Sequence, residues 1–424
     1  MAKVHKFRVS STRSNQMVCR SMAAAEAKGT MMRTAGRYLG RWVELGDRML
    51  RNFGTCAYLA FDRRPELRNA VITATEEYGA QFSISRVYLE CALYRELECN
   101  LERIAGRPTL VAPATTLAHM AALPVIVHDE DAVIIDQFAH ASLHSATDLL
   151  RDVPVHLVRH SRIDQIDHLI QSLSPRHENI WLVVDGLYSM FGDFAPFQEL
   201  AGLLDRWPQL HLYIDDAHAT GWLGTHGRGG ALTHFGHHKR VVVALSLNKA
   251  FGAAGGALAL PDAELKTRIR RCGGPMLFSG PIQPPMLGAA VASSKLHLSD
   301  QHAATQAELL HRIDFTIAAA ERARLPLATQ HRTPIFFIPC DSVDQATDEA
   351  QRLLSEGFYV CPSAFPAVPV NRPGVRFTIT LHNELEDIAA LVEAAMAGIQ
   401  RRGCSVPVAL AAWNYGALAP DALE

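Results

Sequence analysis

The sequence predicts an α/β protein: a large domain built on a mostly parallel sheet covered by helices, then a smaller α+β C-terminal domain. Three observations predict it. Short apolar runs recur through the middle of the chain, 15 to 25 residues of helical periodicity separate most of them, and after about residue 285 this alternation gives way to long helices with isolated strands. Strands that are apolar on both faces need a helical layer on each side and crossover helices between them.

The elements follow in order. The chain has 424 residues, which at roughly 150 per domain allows two or three domains. Up to about residue 40 it mixes small and basic residues, with a short helix over 22–28 and no core pattern before Trp42. Residues 42–45 and 49–53 read as two strands around the turn pair Gly46-Asp47. Apolar residues at helical spacing predict helices over 65–78 and 93–104. Strands are then expected at 125–128, 132–135, 155–158, 180–184, 210–214 and 241–245, with helices such as 163–173 and 197–207 between them. Beyond residue 285 the pattern predicts helices over 286–297, 309–323, 343–356 and 385–399, and strands at 335–338, 359–360 and 375–380. The last 24 residues are rich in Ala and Leu and have no assignable pattern. This reading divides the chain into an N-terminal arm and hairpin (1–55), a large domain (56–300), a small domain (301–400) and a C-terminal extension (401–424).

With 48% hydrophobic and 20% charged residues, the composition excludes a disordered or coiled-coil chain. A net charge of -2 gives no global basicity that would point to nucleic acid. The average conceals an asymmetry: residues 1–41 hold nine Lys or Arg and one acid, Glu26, a local +8 that leaves -10 for the remainder. The eight Cys include no CxxC pair, which suits reduced thiols in a cytoplasmic compartment. No apolar run reaches the ~18–20 residues of a membrane span, and the basic N-terminus lacks the apolar core of a secretory signal. An exposed basic arm is the plain reading of this leader and an organelle transit peptide the alternative.

Two segments put polar residues where a buried strand ends. The run 210–214 stops at Asp215-Asp216-Ala217-His218 and continues through Gly221, Gly224, Gly227 and Gly229. Ligands of doubly wound sheets bind beyond the carboxyl ends of the strands, so Asp215 is placed to meet a cofactor; its plainer role is to cap the next helix. The run 241–245 leads into Ser246-Leu-Asn248-Lys249-Ala-Phe-Gly252, with Gly255 and Gly256 close behind. A lone Lys among apolar and Gly residues either snorkels to water or is used covalently. Glycines let a cofactor approach the backbone, and desolvation favours the neutral amine that forms Schiff bases. An Asp at one strand end and a Lys 34 residues on at the next is the pair that pyridoxal phosphate chemistry requires. The carboxylate keeps the ring nitrogen protonated while the Lys carries the aldehyde as an imine.

Three linked segments carry a resemblance: Asp185-Gly-Leu-Tyr-Ser189-Met-Phe-Gly192-Asp193-Phe-Ala195-Pro196, then Asp215 to Gly229, then Ser246-Leu-Asn-Lys249-Ala-Phe-Gly252. In order and approximate spacing they are similar to the α-oxoamine synthases, fold type I pyridoxal phosphate-dependent acyltransferases, and the likeness runs from about Trp42 to Ile399. The resemblance implies a seven-stranded sheet, pyridoxal 5′-phosphate as cofactor, and a homodimer with shared active sites. It implies that Lys249 binds the cofactor and later removes the substrate α-proton, that Asp215 pairs with the ring nitrogen, and that His218 and Ser189 lie near the phenolic oxygen. His140 matches the His that stacks on the ring; seen alone it reads as an ordinary core histidine. Ser246 is the implied phosphate-contacting hydroxyl. Phe278-Ser279-Gly280 resembles the segment that reaches the phosphate of the neighbouring subunit. Arg376 matches the arginine that grips the amino-acid carboxylate, a task suited to a guanidinium with its two parallel hydrogen bonds; Arg372 is the nearby alternative.

The implied reaction condenses a small amino acid with an acyl thioester, on coenzyme A or a carrier protein, with loss of carbon dioxide, to an α-aminoketone. An aminotransferase or aldol-type lyase is the alternative on the same fold. A non-catalytic partner subunit is a third reading, against which Lys249, Asp215 and His140 speak. Several departures bear on the site. In place of the family's Ser-Gly-aromatic-small-small-Asn turn stands Ala114-Thr115-Thr116-Leu117-Ala118-His119; the amides of Thr115, Thr116 and Leu117 still serve as a phosphate cradle. A glycine-rich stretch is replaced by residues 78–88, which adds side chains beside the expected acyl-donor channel. Ala57 stands where an Asn that contacts substrate is frequent. The +8 arm suits long-range attraction of an acidic carrier protein, against an unstructured tail. His234, His237 and His238 read as a solvated loop and not a metal site, and residues 224–230 lack the Gly-Lys-Ser/Thr of a P-loop.

Overall fold

A computed structural model describes residues 12–401. The described chain forms two compact units. One comprises Leu59–Tyr188 and Phe194–Ala307; the other comprises the described residues up to Tyr58, Ser189–Asp193, and those from Glu308 onward.

The strands, in chain order, are β1 (Trp42–Leu45), β2 (Arg48–Asn52), β3 (Thr109–Ala112), β4 (Ala132–Asp136), β5 (Val155–Val158), β6 (Ile180–Asp185) and β7 (Leu210–Asp215). They continue with β8 (Val241–Ser246), β9 (Gly256–Ala259), β10 (Ile335–Pro339), β11 (Phe358–Tyr359), β12 (Cys361–Ser363) and β13 (Gly374–Thr378). In the first unit seven strands form one sheet in the order β3-β9-β8-β7-β6-β4-β5. β4 to β8 are mutually parallel, and β9 runs antiparallel to both of its neighbours. Every residue of β4, β6 and β8 is buried, as a parallel sheet between two helical layers demands. One face packs on helices such as Ala92–Ala105 and Phe197–Arg206. The other packs on Thr115–Ile126 and Ala141–Thr147.

Two features depart from the sequence expectation. The run 125–128 is no strand: residues through Ile126 complete the helix Thr115–Ile126. A short, wholly apolar run reads the same whether it is a buried helix end or a buried strand. The expectation also omitted β3 and β9, whose four-residue lengths and small residues leave little hydropathy signal. The substituted segment 78–88 is anchored by Arg86, which pairs with Glu90 at 2.5 Å and Glu98 at 2.6 Å, donates to the Val111 carbonyl, and lies 3.9 Å above the Tyr94 ring.

The second unit holds two three-stranded sheets, β1-β2-β11 and β10-β13-β12. The N-terminal hairpin joins it by parallel pairing of β2 with β11. A helix, Thr12–Ala27, occupies much of the expected arm, with Ala25 and Thr30 buried. Several arm cations are used internally: Lys28 meets Asp348 at 2.8 Å and Asp344 at 3.3 Å, and Arg37 meets Glu44 at 2.7 Å. Arg41, together with Arg51, clasps the buried carboxylate of Asp387, each at 2.7 Å. The sequence showed no core pattern before Trp42 because small residues at a contact carry almost no hydropathy contrast. No helix among the described residues is long and apolar enough to cross a membrane. The C-terminal extension, 402–424, lies outside the described residues.

Candidate active site

Three neighbouring parallel strands end in polar residues. β6 ends in Asp185, β7 in Asp215 and β8 in Ser246, and Asp185 and Asp215 are register partners. Three apolar strands that stop in polar groups at one edge create the crevice where doubly wound sheets take their ligands. A cavity of about 130 Å³ opens there. The first unit alone lines it, with Thr115, Thr116, His140, Asp215, His218, Ser246 and Lys249 among its walls.

Asp215 is held on both oxygens. Its Oδ1 accepts the Ala217 amide at 3.0 Å, and its Oδ2 lies 2.9 Å from His119 Nε2. Burial by itself would raise its pKa, but His119, then Lys249 and His140, outweigh this and bring it down to about 2. Asp185, also in the wall, takes the opposite shift. Burial first, then the Asp215 charge, push it well above the ordinary carboxylate range, while it accepts the His140 amide at 2.9 Å.

His140 caps the helix Ala141–Thr147: its Nδ1 accepts from the Ser142 amide at 3.2 Å and lies 2.6 Å from Ser142 Oγ. His140 is exposed at the cavity, yet the walls around it desolvate it and lower its pKa. Lys249 begins a loop pinned by hydrogen bonds from Gly252 N to the Lys249 carbonyl at 3.0 Å and from Gly255 N to Asn248 Oδ1 at 2.7 Å. Gly252, at φ 70, has no room for a side chain, since a Cβ there would lie 2.6 Å from Asp62 N.

The helix Thr115–Ile126 starts at the wall from Ala114, which has no side chain able to cap it. Its first-turn amides are therefore left for a ligand. Gly256 brings β9 so close to this helix start that a Cβ would collide with Thr115 N. Uncapped amides with Thr hydroxyls, an ionised buried carboxylate and a Lys in one cavity suit a phosphorylated, cationic ring that bears an aldehyde. The residues fit pyridoxal 5′-phosphate.

Not every expected residue lines this cavity. Leu117 is half-buried in the first helical turn, outside the lining. Ser279 and Gly280 also lie outside it, with Ser279 Oγ donating to the Pro275 carbonyl at 2.5 Å. Ser189 and Arg376 belong to the second unit, where Arg376 Nε donates to the Ser189 carbonyl at 2.7 Å and Nη2 to Cys56 Sγ at 3.6 Å. Burial would lower the Arg376 pKa, but Cys56, Tyr58 and Cys361 raise it overall, so the guanidinium stays charged. Sequence reasoning missed His119 and Asp185 as members of the site. Asp185 opens a quoted motif and could have been found as another Asp at a strand end; His119 stood in the substituted turn at the position of the family's Asn, which marked it without revealing its partner. Among the described residues no group of three or more His, Cys, Asp or Glu could hold a metal ion.

Fold and site together define a pyridoxal phosphate-dependent enzyme. The family described as aminotransferase class I and II matches residues 49–394. The 8-amino-7-oxononanoate synthase of Beijerinckia indica is 30% identical over 365 residues, 84% of this chain and 89% of that protein. The human mitochondrial 2-amino-3-ketobutyrate coenzyme A ligase is 28% identical over 356 residues, 81% of each. The structure of a serine palmitoyltransferase from Sphingomonas wittichii matches with a TM-score of 0.84 over 92% of this chain and 98% of that one, at 21% identity, which speaks to the fold alone. The chain belongs to the class I and II aminotransferase family and, within it, to the α-oxoamine synthases.

Proposed function

We propose that this enzyme condenses a small amino acid with an acyl thioester, carried on coenzyme A or on a carrier protein, to give an α-aminoketone. A bond forms between the amino acid's α-carbon and the acyl carbon. The carbon–sulfur bond and the bond to the amino acid's carboxylate break, and a free thiol and carbon dioxide leave. The observation that carries this reading is the presence, in one cavity, of an anionic Asp215 at the end of β7 and of Lys249 just beyond the end of the adjacent β8.

When bound, pyridoxal phosphate supplies an electron sink for negative charge at the substrate α-carbon. The chain's residues do the rest. The amides of Thr115, Thr116 and Leu117, with Ser246, bind the phosphate. The Asp215 carboxylate would hold a proton on the ring nitrogen, and His218 would lie near the phenolic oxygen. His140 would cover the ring, and its lowered pKa keeps it uncharged near neutrality, so it would add no second cation beside that proton. Lys249 takes the α-proton and returns one to the product carbon. Arg376 grips the amino-acid carboxylate.

We further read the enzyme as a homodimer in which Ser279 and Gly280 reach the partner's phosphate site. Supporting this is an apolar surface formed by Phe278, 89% exposed, with Tyr88, 83% exposed, and Val87 and Leu89. The two segments are tied by Ser85 Oγ donating to the Leu277 carbonyl at 2.8 Å and Phe82 N to Gln283 Oε1 at 3.0 Å. Contiguous exposed apolar surface of this kind suits a protein partner. The seven described cysteines are free thiols, which suits the reducing cytoplasm.

The test is a screen of amino acids and acyl thioesters with product and carbon dioxide release followed by mass spectrometry. Lys249→Ala should lower turnover by about 100-fold or more and abolish the absorption band of the imine between cofactor and lysine. Turnover by Lys249→Ala at the wild-type rate overturns the reading. Conversion of the cofactor to its amine form, or aldehyde release by amino acid alone, favours the aminotransferase or lyase.

A further inference from the structure

His119 is completely buried on the helix Thr115–Ile126, one turn beyond the phosphate-facing amides. Its Nε2 lies 2.9 Å from Asp215 Oδ2 and its Nδ1 2.9 Å from the hydroxyl of Tyr213. Tyr213 is also completely buried, and its ring meets that of His119 edge to face with centroids 5.6 Å apart. Tyr213 and Asp215 are two residues apart on β7 and so project from the same face of the sheet, toward this helix. The donors and acceptors balance in one direction: Tyr213 O–H donates to His119 Nδ1, and His119 Nε2–H donates to Asp215. Burial, together with the Asp215 charge, keeps the Tyr213 hydroxyl protonated and able to donate.

Resting on the proposed function, we infer that Tyr213, His119 and Asp215 form a buried hydrogen-bonded relay in which His119 is a positioning residue. It holds the Asp215 carboxylate ionised and aimed at the cofactor's ring nitrogen. An imidazole joins two partners at once: it donates to the carboxylate and accepts from the phenol, so neither buried group is orphaned. A side chain that only donated to Asp215 would leave Tyr213 without an acceptor. An apolar one would leave the carboxylate with a single partner in a site where burial opposes its charge.

The experiment uses His119→Phe, His119→Asn and Tyr213→Phe in the full chain, with thermal melting to verify folding. Three readouts are taken: apoprotein affinity for pyridoxal phosphate, the pH dependence of the cofactor's visible band, and kcat and KM as functions of pH. The relay predicts that His119→Phe weakens cofactor affinity about tenfold or more. It also predicts that the acidic limb of kcat and of the band titration moves up by at least one pH unit, because Asp215 then takes a proton more readily. KM for the acyl donor should stay constant. His119→Asn should recover part of both effects, and Tyr213→Phe should show a smaller loss in the same direction. Should His119→Phe fail to fold, the Asn and Tyr213→Phe proteins carry the test. Folded variants with wild-type affinity and unmoved titrations overturn the relay. Wild-type apoprotein that takes up no pyridoxal phosphate would instead overturn the functional reading on which it rests.

Discussion

Asp185 and Asp215 end neighbouring strands as register partners, and their surroundings drive their protonation apart. Asp215 has His119 and stays anionic, whereas Asp185 has burial and a like charge beside it and is pushed toward the neutral acid. Two carboxyl groups with opposite shifts mark two different roles. Asp185→Asn mimics the neutral acid and can still accept the His140 amide, so its kcat is expected within about threefold of wild type. On the proposed function, Asp215→Asn removes the charge that would hold the ring proton and is expected to lower kcat about 100-fold or more. Steady-state kinetics of the two variants checks both, and equal losses would show that the carboxyl groups share the work. Each Asp sits at the end of an apolar run, so their candidacy was legible in sequence. Which of them is charged depends on His119, 96 residues away from Asp215 in the chain.

The helix Pro284–His297 and the start of the next, Gln301–Ala323, carry a pair of buried imidazoles. His297 stacks on Phe251 with centroids 4.2 Å apart and meets His302 at 4.4 Å, while His226 Nδ1 contacts the His297 carbonyl at 2.9 Å. Burial first, and each other's proximity, lower His297 to about 3; burial, then His226, lowers His302 to about 4. In the unfolded chain both return to 6.5. A depressed folded pKa means that the unfolded chain binds protons first as pH falls. The stability from keeping these rings neutral is therefore complete above pH 6.5 and is lost as pH falls toward 4, by up to ~1.4 kcal/mol per pH unit for each group. Urea midpoints measured from pH 7 to pH 4 should fall, and the fall should be shallower in His297→Phe. Parallel curves for the two proteins would remove the pair as its source. Most elements here were legible from periodicity. The cluster was not, because histidines at element ends have no period.

The whole molecule joins a cofactor unit to a second unit built from both ends of the described chain. The exposed apolar surface at 84–89 and Phe278 is the feature a single chain leaves unexplained. Light scattering of the purified protein is expected to give twice the chain mass, and Tyr88→Glu combined with Phe278→Glu to give monomers with weakened cofactor affinity. A wild-type monomer with full activity would contradict the shared site. The basic leader illustrates the limit of a net charge. Part of its excess reads in sequence as available for a partner, yet Lys28, Arg37 and Arg41 pair with carboxylates of their own unit.

Amino-acid order alone sufficed for the fold class and the cofactor, and it singled out Lys249 as the candidate to carry it, because strand ends, helical periods and motif spacing are local properties written into neighbouring residues. It did not reveal which groups stand behind them. The Tyr213–His119–Asp215 chain, the pairing of the leader's cations with their own unit and the opposite shifts of Asp185 and Asp215 arise from contacts between segments and from burial. Both exist only after the sheet and its helices have closed on one another.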